Sequence, residues 1–251
     1  MSFRVLPVLL VLTATACAGV QRTSDPWNGQ VRVDGALRPM LHEGKTGPVV
    51  KLSRLLPDDA LYAVGALAGL EGEVTIVGGK VYLSRGKGQQ AAAEIAEDSD
   101  AAAALLVSAR VPAWRLAKTD APIPFDALDQ AIAALATKAG MDVNTRFPFV
   151  LEGHVRELEW HVLAGPPPEG ASEDHQGHLE NAAAFRLPSA QATLVGFYSP
   201  NDEGVFTHMG SKTHLHVVAG TPPGTGHVDH VIVVPGATVK FPLKVSAAAA
   251  R

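Results

Sequence analysis

The residues from Thr213 to His227, THLHVVAGTPPGTGH, concentrate three of the chain's ten histidines: His214, His216 and His227. A neutral imidazole is the commonest side-chain metal ligand. Residues i and i+2 of a strand point to one face, so His214 and His216 would stand side by side. The ten residues after His216 hold two prolines and three glycines, turn material able to return His227 on the next strand. Two readings fit this spacing. In one, three neutral nitrogens and an open position make a catalytic site for zinc or a similar divalent ion. In the other, the strand pair faces solvent and His227 merely begins a strand. His230, on the opposite strand face from His227, reads as a surface group or a support behind a ligand. His175 and His178 sit among acids in a polar loop and read as solvated, while His42 and His208 read as structural filling.

Strands must position these side chains, and the pattern supplies them. QVRVDG alternates as a short strand, followed by a helix carrying Leu37, Met40 and Leu41. GEVTIV and KVYLS alternate on either side of Gly78 and Gly79, the signature of a tight hairpin. GQQAAAEIAEDSD has the composition of a polar helix, and AAAALLVSARVPAW ends as a buried strand. The clearest helix begins near Asp126, repeats apolar residues at Leu128, Ile132, Leu135 and Ala136, and stops at Gly140. FPFVLEGHVRELEWHVL predicts one or two strands, and a polar Pro/Gly loop follows. From QATLVGFYS onward nearly everything reads as strand. The fold class is therefore mixed α/β and β-rich, with an N-terminal part over residues 30–165 and a β-rich C-terminal part over 166–251.

Composition limits the partners. A chain of 251 residues with 47% apolar residues can bury a substantial core, and a net charge of −4 offers no basic surface for nucleic acid. MSFRVLPVLLVLTATACAGV carries Arg4, an apolar run from Val5 to Leu12, then small residues before Cys17, the chain's single cysteine. That run is too short to span a bilayer and reads as the core of an export signal. Small residues before a cysteine also mark the lipidation site of bacterial lipoproteins, although Ala14 replaces the usual leucine; an ordinary signal peptide is the alternative. The expectation is an exported, periplasmic or cell-envelope lipoprotein, with residues 1–17 as signal, 18–29 as tether, and a lipid anchor as the sole membrane contact. A homodimer is one assembly open to it.

Four ordered blocks then carry a resemblance. LEGEVTIVGGKVYLS, FPFVLEGHV, ATLVGFYSP and the HLH…GHV histidine block resemble the acetolactate decarboxylase family, in the family's order. The resemblance implies an N-terminal mixed sheet with helices, packed against a C-terminal antiparallel β half-barrel, with zinc held between them by His214, His216 and His227. It implies a small-molecule substrate, 2-acetolactate, converted to acetoin and CO2. Glu73 matches the family's active-site glutamate and takes the acid/base role, the alternative being an exposed strand carboxylate beside a solvated Glu71.

Departures accompany the match. His161 stands where the family has an arginine thought to hold the substrate carboxylate, and one imidazole lacks the two-pronged grip of a guanidinium. A regular strand would turn Arg156 to the other face. Ala66 and Ala68 replace polar residues, FTHMGSKT is an insertion, and KVSAAAAR has no counterpart of the family's C-terminal glutamate. The cradle is retained while its surroundings differ, which leaves a catalyst with an altered substrate shell or a non-catalytic, lipid-anchored metal- or ligand-binding protein.

Overall fold

The computed structural model describes residues 27–87, 90–96, 100–166, 177 and 179–243. The proposed signal, Cys17, His175, His178 and the C-terminal residues 244–251 lie outside them. In chain order the main elements are β1 (Arg32–Asp34), α1 (Leu37–His42), β2 (Val50–Lys51), β3 (Leu61–Leu67), β4 (Gly72–Val77), β5 (Lys80–Lys87), β6 (Gln90–Ala96) and β7 (Ala102–Arg110). Then come β8 (Trp114–Lys118), β9 (Ile123–Pro124), α2 (Leu128–Lys138), β10 (Phe147–Val162), β11 (Ala183–Tyr198), β12 (Thr213–Ala219), β13 (Gly224–Val233) and β14 (Thr238–Pro242). No helix among the described residues is long and apolar enough to cross a membrane.

The strands form two sheets. The first runs β1-β7-β3-β4-β5-β6 with β2 beside β7; the second runs β8-β14-β10-β11-β12-β13-β9, with β13 also paired to β10. That extra pairing curls the second sheet on itself, as the half-barrel expectation requires. Strand pairings in the first sheet are antiparallel too, where a mixed sheet was expected. Short connections account for this: Gly78 and Gly79, at φ 56° and 76°, close a two-residue turn that sends β5 straight back along β4.

Two other expectations are corrected. The segment expected as a polar helix contains β6, paired residue by residue from Val81↔Ala96 to Lys87↔Gln90. The open edge of β5 offers a full ladder of backbone hydrogen bonds, and that tertiary gain outweighs local helix preference. The chain also does not divide its sheets at residue 165. Strands β8, β9 and β10 already belong to the second sheet, because β10 pairs with β11 from Phe147↔Tyr198 to Val162↔Ala183 across the polar loop. Glu157, at φ 51°, sits in a bulge where the β10–β13 register shifts. The bulge bends one continuous strand instead of dividing it in two.

The largest apolar cluster joins Val64 and Val107 of the first sheet to Phe147, Phe149, Phe197 and Phe241 of the second, and α2 adds Leu128, Ile132 and Ala136 to it. Each fully buried phenylalanine is worth about 1.5–3 kcal/mol. The other face of the first sheet packs Val74, Ile76 and Leu83 beneath Val50 and Leu52.

The loop between β11 and β12 is anchored by one buried carboxylate. Arg146 donates two hydrogen bonds to Asp202, at 2.6 and 2.5 Å, and Ser199 Oγ donates a third at 2.5 Å. The Asp202 carbonyl takes the amides of Val205, Phe206 and Thr207. This loop in turn receives α1, whose Leu37 and Arg38 amides donate to the Val205 and Gly204 carbonyls at 2.8 Å. Burial opposes the Asp202 carboxylate, but the hydrogen bonds from Arg146 and Ser199 outweigh it and hold its pKa below the usual carboxylate value. A depressed carboxyl pKa adds stability that is complete above the unfolded-state value and is lost as pH falls through the folded one. Arg146→Ala should lower unfolding free energy at neutral pH by about 1–2 kcal/mol, its side chain being 41% exposed. Asp202→Asn should flatten the acid limb of stability against pH, which urea melts between pH 3 and 7 would measure.

Candidate metal centre

Register brings the histidines together. His214 and His216 share a face of β12, His216 pairs with His227 on β13, and His227 pairs with His161 on β10. Directly paired residues share a face of the sheet, so His216, His227 and His161 form a row across three strands. Gly226 permits that row. A Cβ there would fall 2.3 Å from the His161 carbonyl oxygen and 2.7 Å from Trp160 Cδ1, so any larger residue would push β13 from β10. From the first sheet, Glu73 and Thr75 project from one face of β4 toward the same place. Glu73 Oε2 lies 3.7 Å from His216 Nε2, which puts the cluster at the seam between the sheets.

His214, His216 and His227 each offer a ring nitrogen, and the three atoms lie within 4.8 Å of one another. His214 Nδ1 donates to the Phe206 carbonyl oxygen at 2.6 Å, since a carbonyl only accepts, and Nε2 is left with its lone pair. That atom is 3.2 Å from His216 Nε2, close to the separation of about 3.4 Å for two nitrogens on one tetrahedral zinc. Burial, then the neighbouring imidazoles His214 and His161, push the pKa of His216 well below the usual value against an opposing Val74 carbonyl. Burial, then His208 and His214, do the same to His227. Neutral rings with converging lone pairs are the state a metal ligand needs, so this donor set fits a divalent cation. Nitrogen ligands suit zinc and other first-row metals without choosing among them.

A cavity of about 30 Å³ beside the triad is lined by the polar side chains of Glu73, His161, His208, His214 and His227 and by the apolar ones of Leu37, Met40, Leu41, Ala66, Leu105 and Leu163. Glu73 is 3% exposed, so it is not the solvated strand carboxylate of the alternative reading; Glu71 is the exposed neighbour. Burial drives the Glu73 carboxyl well above its usual pKa, opposed by a hydrogen bond from the Leu163 amide and reinforced by Asp229. It therefore favours the protonated acid. His161 Nδ1 donates to Asp229, 2.8 Å from Oδ1 and 3.0 Å from Oδ2, and its ring stands 5.1 Å from that of His227.

His208 corrects the sequence reading. Expected as structural filling, it lines the cavity with its ring 4.9 Å from His227 and 6.3 Å from His214. Its one signal was its place in FTHMGSKT, just ahead of the ligand strand. Asp229 was also missed, though it sits two residues after His227 and so on the same face. His230 meets Glu157 at 3.8 Å near the surface, Arg156 is exposed, and His42 ends α1; none of these three lines the cavity.

A family model described as alpha-acetolactate decarboxylase matches residues 40–244. The fold is shared with alpha-acetolactate decarboxylase from Bacillus subtilis strain 168, at 17% identity over 86% of each chain and a TM-score of 0.69. Acetolactate decarboxylase from Bacillus subtilis subspecies spizizenii superposes at 0.68 with 16% identity, over 86% of this chain and 87% of its own. A Staphylococcus aureus protein of unknown function, similar to alpha-acetolactate decarboxylase, superposes at 0.64 with 16% identity over 85% of each chain. No curated protein sequence matches the chain.

If the triad is the cradle, zinc should raise the melting temperature of the wild type, adding about 2.7 kcal/mol at a free concentration of 100 Kd. His216→Ala and His227→Ala should each weaken zinc more than about 100-fold in a chelator competition, since a lost ligand costs more than a lost outer partner. Gly226→Ala should weaken zinc as well and lower stability by about 1–3 kcal/mol through its collision with β10.

Proposed function

Because the chain belongs to the alpha-acetolactate decarboxylase family, we propose that it is a metal-dependent carboxy-lyase. Its substrate on this reading is 2-acetolactate or a related 2-hydroxy-3-oxo acid, and its products are acetoin and CO2. The observation that supports this most directly is the buried Glu73, whose carboxyl is pushed toward the protonated form by burial, set 3.7 Å from a histidine of the ligand triad. His214, His216 and His227 would hold the ion, zinc or another divalent metal, which supplies a Lewis acid for the substrate oxygens when bound.

The chain's own residues carry the remaining steps. His161, in its imidazolium form, is fixed through Nδ1 by Asp229 and donates from its other nitrogen toward the substrate carboxylate. The bond to that carboxylate breaks, CO2 leaves, and the electron pair stays on the substrate carbon. Glu73 delivers its proton to that carbon, and solvent restores it. Leu37, Met40, Leu41 and Leu105 exclude water and accept alkyl groups, and Ala66, paired with Glu73 across β3 and β4, adds a small apolar side chain beside it. Export belongs to the same proposal: residues 1–17 are read as a signal ending at a lipidated Cys17.

One observation favours a second reading. The cavity of about 30 Å³ is far below the roughly 300–1,000 Å³ of most small-molecule sites, so a substrate has to displace the α1 side chains. A protein that binds metal without catalysis would need no such movement.

The assay is acetoin release from 2-acetolactate by the zinc-loaded chain, with metal content measured in parallel. Turnover should appear in the wild type. Glu73→Gln should lower kcat by about 10²–10⁴ while zinc stays bound, and His161→Ala should raise KM. Stoichiometric zinc without acetoin would overturn the acetolactate decarboxylase reading and leave the metal site standing.

A further inference from the structure

Beneath His216, three short contacts determine which ring nitrogen carries the proton. Thr75 Oγ1 lies 3.0 Å from His216 Nδ1, Thr225 Oγ1 lies 2.6 Å from Thr75 Oγ1, and Thr225 Oγ1 lies 2.7 Å from the Val217 carbonyl oxygen. Thr75, His216, Val217 and Thr225 are all fully buried, so solvent water cannot complete the pattern. A carbonyl accepts only, so the single hydrogen of Thr225 goes to Val217. The contact between the hydroxyls then takes the hydrogen of Thr75. Thr75 is left as an acceptor toward His216, and Nδ1 must be the donor. With Nδ1 bare, Thr75 would have to donate to it, and one of the two contacts of Thr225 would have no hydrogen.

We infer that Thr75 and Thr225 are positioning residues for the metal centre, a hydroxyl relay that holds His216 as the Nδ1–H tautomer and turns its Nε2 lone pair to the cation. The inference rests on the metal-binding reading of the triad. Position supports it: Thr75 is two residues after Glu73 and Thr225 two before His227, so each shares the face of a site residue on its strand. The Thr225 amide donates to Ser84 Oγ at 3.1 Å, which ties β13 to the first sheet beside the relay. Two hydroxyls buried at the seam destabilise it unless paired, and here pairing has one consistent direction. The Phe206 carbonyl sets the same tautomer in His214. Two Nε2 lone pairs are thereby brought face to face at 3.2 Å, a repulsion that a cation turns into attraction.

The test combines zinc affinity with imidazole NMR. Long-range ¹H–¹⁵N spectra of the metal-free and zinc-loaded full chain report which nitrogen of His216 is protonated, and chelator competition gives the affinity of wild type, Thr75→Val, Thr225→Val and Thr75→Ser. The wild type should show Nδ1–H in both states. Thr75→Val should weaken zinc roughly 10–100-fold and lower the metal-free melting temperature, because the buried His216 Nδ1–H loses its acceptor. Thr225→Val should free Thr75 to donate and shift His216 toward Nε2–H, and Thr75→Ser should restore wild-type binding. A bare Nδ1 in the wild type overturns the relay, as does zinc binding within twofold of wild type by both valine variants. Should the valine variants fail to fold, the wild-type spectrum and Thr75→Ser decide. Acetoin is not measured, so failure of the decarboxylase reading stays separate; a wild type that binds no zinc removes the metal reading, while its metal-free spectrum still judges the relay.

Discussion

The structure depends on satisfying a cluster of imidazoles and one carboxyl group placed where two sheets meet. Each buried polar atom that faces away from the centre needs a partner, because an unpaired one costs about 1–3 kcal/mol. Those partners come from separate parts of the chain: the Phe206 carbonyl for His214, Thr75 of β4 for His216, Asp229 of β13 for His161, and the Leu163 amide for Glu73. The site therefore cannot assemble inside one sheet. It forms when β4 docks against the curled second sheet, and its hydrogen bonds help hold that docking in register.

Several features of the fold serve this demand. Pairing of β13 with both β12 and β10 sets His216, His227 and His161 in one row, and Gly226 gives the backbones room to approach. The Arg146–Asp202 pair lies away from the histidines but braces the loop that delivers the Phe206 carbonyl. The same loop seats α1, whose Leu37, Met40 and Leu41 close the cavity. Mutations in that brace would thus reach the metal centre through the loop, without touching a ligand.

The two halves of the site differ in what they share with the family. By the resemblance, His214, His216, His227 and Glu73 match its pattern, and Glu73 stands on the β4–β5 hairpin. The departures that the resemblance implied fall at His161, here braced by Asp229, at the segment that carries His208, and at Ala66. An imidazole that donates one hydrogen bond grips a carboxylate less firmly than a guanidinium, so on the proposed function substrate selection would lean more on the apolar side chains of the cavity.

Period and turn chemistry by themselves determined the β4–β5 hairpin, the helix around Ile132, the β-rich second half and the pairing of His214 with His216 on one face. These are local properties: alternation, glycine at a turn, and an apolar stripe are written in neighbouring residues. The ligand set His214, His216 and His227 was legible as a possibility from spacing and as an expectation from the resemblance. Only the tertiary structure decided that GQQAAAEIAEDSD holds a strand, that β10 belongs to the second sheet, and that His208, Asp229, Thr75 and Thr225 surround the ligands. Thr75 lies 141 residues from His216, and the hydrogen bond between them exists because two sheets meet there. Strand pairing over such separations depends on which edge is free and which surfaces pack, and no window of sequence contains that information.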